Sequence, residues 1–161
     1  MTMTIPGKKL SIISFSGDFD KAVATFTLAS GAAAVGYEVN IFFTFWGYNA
    51  IKKKSGRRFQ GDGILGRFFN FLMGGFEQLP LSRLNFFGIS PKLMTWMMRS
   101  KNVATLRELL DAAVALRVNF YACEMSAVIL GTVDTDYIHI KERLGVAKFL
   151  DLAEGGQVLF I

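Results

Sequence analysis

The apolar positions of the first 45 residues change spacing twice. Residues 10–15 (LSIISF) form a short apolar run, and residues 38–45 (EVNIFFTF) are rich in β-branched and aromatic side chains, as buried strands are. Between them, residues 18–35 carry apolar side chains at helical spacing, at Phe19, Ala22, Val23, Phe26, Ala29 and Ala33. A strand, a helix and a strand in this order predict a right-handed crossover unit and therefore a parallel sheet.

The next strong helical pattern covers residues 103–117 (VATLRELLDAAVALR). Its apolar stripe consists of Leu106, Leu109, Leu110, Ala113 and Leu116. Two N-terminal caps fit the sequence. Thr105 and Glu108 have the spacing of a capping box, and Asn102 offers a cap one turn earlier.

The remaining third of the chain continues the alternation. We predict a strand over 118–122, a short helix near 125–131, a short strand over 137–141, a helix over 145–156 and a final strand over 157–161. The sequence therefore predicts one α/β domain over residues 1–161, built as a three-layer sandwich around a mostly parallel sheet.

Residues from about 57 to 100 break this pattern, because they are rich in Phe, Met, Leu and Gly without a clear period. The segment is too long for an ordinary connection and too apolar for a disordered linker. We interpret it as a helical or irregular insertion that packs on its own domain or forms a subunit interface, with membrane-surface docking as a lesser alternative. The residues suited to a repackable contact surface are Met73, Met94, Trp96, Met97 and Met98.

Charge adds one candidate contact surface. The net charge is +5, and much of the excess lies in KKKSGRR, Lys52–Arg58. This run is typical of a solvated loop, but an anionic membrane surface or an acidic partner would also suit it. No nucleic-acid-binding module accompanies the charge, so we expect no nucleic-acid partner. The apolar insertion makes a homo-oligomer the expected state.

The sequence also indicates a compartment. The chain has a single cysteine, which excludes an internal disulfide. The N-terminus lacks the apolar stretch and cleavage site of a signal peptide, and no apolar run reaches the roughly 18 residues of a spanning helix. We therefore expect a cytoplasmic protein.

That single cysteine, Cys123, is the principal candidate for chemistry. It directly follows the predicted strand 118–122 and precedes a predicted helix. Ligands of open parallel sheets bind at the carboxyl ends of the strands, and a helix N-terminus favours a thiolate. Ser126 would cap that turn, whereas the adjacent carboxylate of Glu124 disfavours a second anion. A buried structural cysteine is the alternative interpretation.

Other chemistries find less support. His139 is the single histidine, and its place in a predicted strand separates it from the carboxyl edge of the sheet, so we interpret it as a surface or packed residue. A thiolate without a base is better suited to carrying a group than to hydrolysis. No metal-binding motif is present, and we expect no metal and no cofactor.

Two further stretches are expected at the same edge. Ser16 and Gly17 follow the first predicted strand, where phosphate groups dock in doubly wound folds. Ser16 or Asp18 would cap the first helix, and the turn at Gly17 would line the same pocket as Cys123. Trp46 and Tyr48 follow the second predicted strand and would form an aromatic wall or pack in the core. Glu124, Met125 and Ser126 complete the expected lining.

Taken together, several segments resemble the DsrE/DsrF-like family of sulfur-relay proteins, and more narrowly its DsrE-type sulfurtransferases, a branch also called peroxiredoxin-like. The segments are FFTFWGYNAIKK, PKLMTWMMRSKN, TLRELLDAAVALRVNFYACEMS and GVAKFLDLAEGGQVLFI. The resemblance runs from about residue 8 to the end. It implies a DsrE-like, flavodoxin-like α/β fold, homo- or hetero-oligomers and a cysteine that accepts persulfide sulfur.

The family cysteine corresponds to Cys123 in ACEMS, with Met125 and Ser126 matching beside it. Where the branch often has MSMDVMGI, this chain reads MSAVILGT, so Val128 and Leu130 replace an acidic residue and a methionine. The resemblance implies a sulfur carrier or sulfurtransferase that works with donor and acceptor proteins. The alternative is a non-catalytic oligomeric scaffold or small-ligand-binding module that uses the insertion.

Overall fold

A computed structural model describes residues 8–52, 64, 76, 79–83, 89–131 and 137–161. Five parallel strands form one sheet in the order β4-β3-β2-β1-β5. This architecture confirms the predicted α/β fold with a parallel central sheet. The elements are β1 Lys9–Ser14, α1 Phe19–Ala34, β2 Glu38–Phe43, a 3-10 helix Phe45–Ile51, α2 Ile89–Ser100, α3 Leu106–Ala115, β3 Asn119–Cys123, α4 Glu124–Leu130, β4 Ile140–Leu144, α5 Val146–Ala153 and β5 Gln157–Phe160.

Aromatic packing on both faces of the sheet forms the three layers. The Phe26 ring of α1 lies 6.3 Å from the ring of Phe43 and 6.1 Å from that of Phe120. The neighbouring Phe42 stacks on Phe149 of α5, with ring centroids 4.5 Å apart. Successive side chains of a strand point to opposite faces, so α1 and α5 cover opposite sides of the sheet.

The N-terminal cap of α3 resolves the choice that the sequence left open. The Thr105 hydroxyl accepts a hydrogen bond of 3.4 Å from the backbone N–H of Glu108, whose carboxylate accepts one of 2.7 Å from the N–H of Thr105. Asn102 instead lies in the turn after α2 with a φ of 55°. The capping box therefore sets the start of α3 at Leu106, three residues after the predicted start.

The fourth strand begins later than predicted. We expected a strand over 137–141, but β4 starts at Ile140 because His139 has a φ of 54°, outside the extended region. Tyr137 forms an isolated antiparallel bridge with Lys52, and its ring lies 5.0 Å from that of Tyr48. This part of the predicted strand thus packs against the 3-10 helix.

Most of the predicted insertion at 57–100 lies outside the described residues, as do Met73 and residues 53–58 of the basic run. Its described parts contact the first helix. The backbone N–H of Phe19 donates to the carbonyl of Pro80 over 2.7 Å, and the Ser82 hydroxyl donates to the Asp20 carboxylate over 2.6 Å. Within the described ranges, no helix is long and apolar enough to cross a membrane.

Candidate functional site

Cys123 is the last residue of β3, and α4 begins at the next residue. It is paired with Leu144, the last residue of β4. Ser14 and Phe43, the last residues of β1 and β2, are paired at the same end of the sheet. Because all these strands are parallel, Cys123 lies at the carboxyl edge, where ligands of open α/β sheets bind.

The Cys123 residue is buried in this arrangement, with an exposed fraction of 2%. Cys123 is also the N-cap residue of α4, with φ −69° and ψ 117°, and its side chain makes no capping hydrogen bond. Helix α4 has seven residues, so it is a short element. A reaction at the sulfur therefore requires that the covering residues move aside.

Tyr48 and Ser126 are the two predicted lining residues that the structure brings into buried contacts around Cys123. The Tyr48 hydroxyl donates a hydrogen bond of 2.6 Å to the Cys123 carbonyl oxygen. The Ser126 hydroxyl lies 2.8 Å from the hydroxyl of Thr44, the residue that follows β2. These contacts join the 3-10 helix and the end of β2 to the junction of β3 and α4.

Two glycines allow the segments that follow β1 and β2 to lie close together. A Cβ atom on Gly47 would lie 2.0 Å from the carbonyl oxygen of Ser14, and one on Gly17 would lie 2.8 Å from that of Trp46. The Gly47 N–H donates to the carbonyl of Phe15 over 2.8 Å. Only a residue without a Cβ permits this approach, so the carboxyl edge beside Cys123 is tightly packed.

The other predicted lining residues lie elsewhere on this edge. Ser16 closes its own turn, since its hydroxyl donates to the Asp18 carboxylate over 2.7 Å and accepts from the Asp18 N–H over 3.2 Å. Trp46 is 38% exposed and Met125 is 56% exposed. Glu124 is also exposed. These side chains are therefore available to solvent or to a partner rather than enclosing the sulfur.

Sequence reasoning did not name Thr44 or Gly47. Thr44 is a single hydroxyl residue at the end of an apolar strand, and that interruption was the available signal. Gly47 stands between Trp46 and Tyr48. These two aromatic residues suggested an aromatic wall, and nothing beside them indicated that the backbone of Gly47 lies close to Ser14. Its requirement for glycine depends on the position of Ser14, which pattern reasoning does not provide.

The structure also gives the positions of His139 and of the two residues at which the chain differs from the resembled branch. His139 is exposed and precedes β4, so the length of that strand separates it from Leu144 and from Cys123. Val128, which stands where the resembled branch has an acid, is 73% exposed, and Leu130 is buried. Among the described residues, no group of three or more His, Cys, Asp or Glu side chains could hold a metal ion.

Comparison with known proteins defines the class. The model of the DsrE/DsrF/DrsH-like family matches residues 6–161. The chain therefore belongs to this family, as the sequence motifs indicated.

Two curated relatives and one solved structure are similar to the chain. The uncharacterized protein YrkE of Bacillus subtilis is 40% identical over 161 residues, which cover 99% of this chain and 100% of that protein. The sulfur carrier protein DsrE2 of Allochromatium vinosum is 35% identical over 147 residues, covering 91% and 92% of the two chains. The protein of unknown function MTH1491 from Methanobacterium thermoautotrophicum has a TM-score of 0.50 at 11% identity, covering 96% and 98%, and shares the fold.

Proposed function

We propose that the protein is a sulfur carrier that holds sulfane sulfur as a persulfide on Cys123 and passes it to the thiol of a partner protein. The observation that carries the proposal is the position of the single cysteine, at the carboxyl edge of β3 and directly before α4. Membership of the family and 35% identity to a protein named sulfur carrier support the same role.

The chemistry requires no cofactor and no external oxidant. The Cys123 thiolate attacks the outer sulfur of a donor persulfide, the S–S bond of the donor breaks, and the donor leaves as a thiolate. Cys123 then carries the extra sulfur as a persulfide. An acceptor thiolate attacks this outer sulfur in turn and releases Cys123 as a thiolate. Since the chain has no second cysteine, both steps need a partner thiol.

Burial of Cys123 has a consequence for this cycle. The Cys123 residue is 2% exposed, so unrelated thiols have little access to it, and thiol exchange depends on such access. Loading and release therefore take place in an opened state of the carboxyl edge. Local openings of this kind cost less free energy than global unfolding. We propose that docking of the donor or acceptor favours the opened state.

The test is the mass of the protein after incubation with a low-molecular-weight persulfide. The wild type should gain the mass of one sulfur atom on the peptide that contains Cys123, and a reducing agent should remove it. Cys123→Ser should gain nothing. Equal behaviour of the two proteins would refute the proposal.

Burial of the cysteine also supports a second candidate function, a non-catalytic scaffold or ligand-binding module with a structural cysteine. In that case Cys123 would react with iodoacetamide only as fast as the protein unfolds globally. A sulfur carrier should instead be alkylated through local opening, at a rate well above that of global unfolding. The comparison of these two rates separates the candidates.

The proposal also includes partners and a compartment. It requires a sulfur donor and an acceptor protein, in the cytoplasm, and it retains the homo-oligomer expected from the apolar insertion. The basic segment Lys52–Arg58 is proposed as a contact for an acidic partner or a membrane surface. An acidic partner should bind more weakly as salt is raised, because ions screen exposed charges.

A further inference from the structure

A groove of about 470 Å³ lies between α2, the first turn of α3 and the start of α1, and Cys123 is not among the described residues that line it. Its volume falls within the range of small-molecule sites. Tyr48 and Ser126, which make buried contacts around Cys123, do not line it either. The proposed sulfur chemistry does not use it.

Three of the described residues that line this groove are cationic. Lys92 and Arg99 lie on α2, and Arg107 lies in the first turn of α3. None of the described lining residues is acidic. Hydrogen bonds from Thr105 lower the pKa of Glu108, and the charge of Arg99 lowers it further, so one exposed carboxylate lies near Arg99 outside the lining. The described part of the lining therefore carries an excess of positive charge, which attracts anions.

The rest of the lining is largely apolar. Trp96 is 65% exposed along the groove, whereas Phe19 and Phe76 are buried in it, at 6% and 8%. The guanidinium of Arg107 lies 4.8 Å from the centre of the Phe76 ring, a cation–π contact that orients the charge. An exposed indole beside oriented cations is suited to a ligand with a flat apolar body and an anionic group.

We propose that this groove binds an amphipathic anion, an aromatic or otherwise apolar body that carries one carboxylate, sulfonate or phosphate group. The apolar body lies against Trp96, and the anionic group lies among Lys92, Arg99 and Arg107. This site does not involve Cys123, so a test of the groove and a test of the sulfur-carrier function have independent outcomes.

Anilinonaphthalene sulfonate is a suitable probe, because it combines an aromatic body with one anionic group. The chain has two tryptophans, so Trp46→Phe leaves Trp96 as the single indole reporter. The probe should quench Trp96 fluorescence through energy transfer in this background. N-phenylnaphthylamine, which has the same aromatic body and no charge, should bind more weakly.

A charge-matched pair of double variants completes the test. Lys92→Gln with Arg99→Gln removes two positive charges from the groove, and Lys21→Gln with Lys101→Gln removes two exposed charges that do not line it. The groove variant should weaken sulfonate binding by about fivefold or more, the effect of two partly exposed ionic contacts. The control should stay within about twofold. Equal loss in both variants, no loss in either, or equal affinity for the neutral probe would overturn the proposal.

Discussion

The phenol of Tyr48 donates a hydrogen bond of 2.6 Å to the carbonyl oxygen of Cys123, and both residues are buried. The bond joins the 3-10 helix after β2 to the strand–helix junction that holds the only cysteine of the chain. A buried carbonyl needs a hydrogen-bond partner, so Tyr48 stabilises this junction. Any opening of this junction that exposes the sulfur therefore involves the same hydrogen bond.

Tyr48→Phe should destabilise the protein by about 1–3 kcal/mol, because it removes the phenol that satisfies a buried carbonyl. It should also speed alkylation of Cys123 under native conditions, since the junction opens more easily. Urea unfolding and the iodoacetamide rate measure the two effects. Tyr37→Phe, at a half-buried tyrosine near the start of β2, is the control and should change neither. An unchanged alkylation rate in Tyr48→Phe would show that this hydrogen bond does not control access to the sulfur.

Gly47→Ala tests the close approach of the segments after β1 and β2. The added Cβ would lie 2.0 Å from the Ser14 carbonyl oxygen, so the backbone must shift. We expect a loss of about 1–3 kcal/mol in the free energy of unfolding, as for an overpacked core. Thermal and urea unfolding would measure it.

Gly31→Ala is the matched control for that variant. Gly31 lies inside α1, and no atom lies within 4 Å of a Cβ built there. Alanine should therefore stabilise the helix by about 0.5–1 kcal/mol. Opposite signs for the two substitutions are the expected result, and a neutral Gly47→Ala would show that the approach of Ser14 is looser than described.

The capping box of α3 makes the free energy of unfolding depend on pH. Hydrogen bonds from the backbone and hydroxyl of Thr105 hold the pKa of Glu108 below its ordinary value. The stability that the Glu108 carboxylate contributes is therefore fully present above the pKa of an unfolded glutamate, about 4.3. It is lost as the pH falls through the lower pKa of the folded state. Glu108→Gln should be less stable than wild type at neutral pH, with the difference vanishing in acid. Urea unfolding at several pH values would show this convergence, and Thr105→Ala should reproduce it in part.

The exposed apolar face of α2 allows a test of self-association. Leu93 and Met97 are 54% and 46% exposed, lie one turn apart and do not line the groove. If this face forms the expected subunit interface, Leu93→Glu with Met97→Glu should lower the oligomeric state measured by light scattering. Sulfonate binding in the groove should persist. An unchanged oligomer would exclude this face as the contact.

The periodic parts of the chain were predictable because one-dimensional patterns determine them. The strands that became β1, β2 and β3 are dense in apolar residues, and the stripe of α1 has helical spacing. Their bounds differ by one or two residues from those in the structure. The position of Cys123 at the carboxyl edge followed from the same patterns, since a residue after a parallel strand can occupy no other edge.

The errors arose where tertiary contacts compete with local pattern. The start of β4 depends on the positive φ of His139 and on the pairing of Tyr137 with Lys52, which is distant in sequence. Burial of Cys123 was likewise not determined by its neighbours. Tyr48 was placed at the right edge, but its bond to Cys123 joins residues 75 positions apart, which no local spacing predicts.

The role of Cys123 is best tested by following a sulfur atom from loading to release. Protein preloaded with a persulfide donor is freed of the donor and mixed with an acceptor thiol, and the intact mass is followed with time. The added sulfur should leave Cys123 and appear on the acceptor, with the wild-type mass restored. If Cys123 acquires no sulfur, or holds it while the acceptor stays unchanged, the protein is not a sulfur carrier.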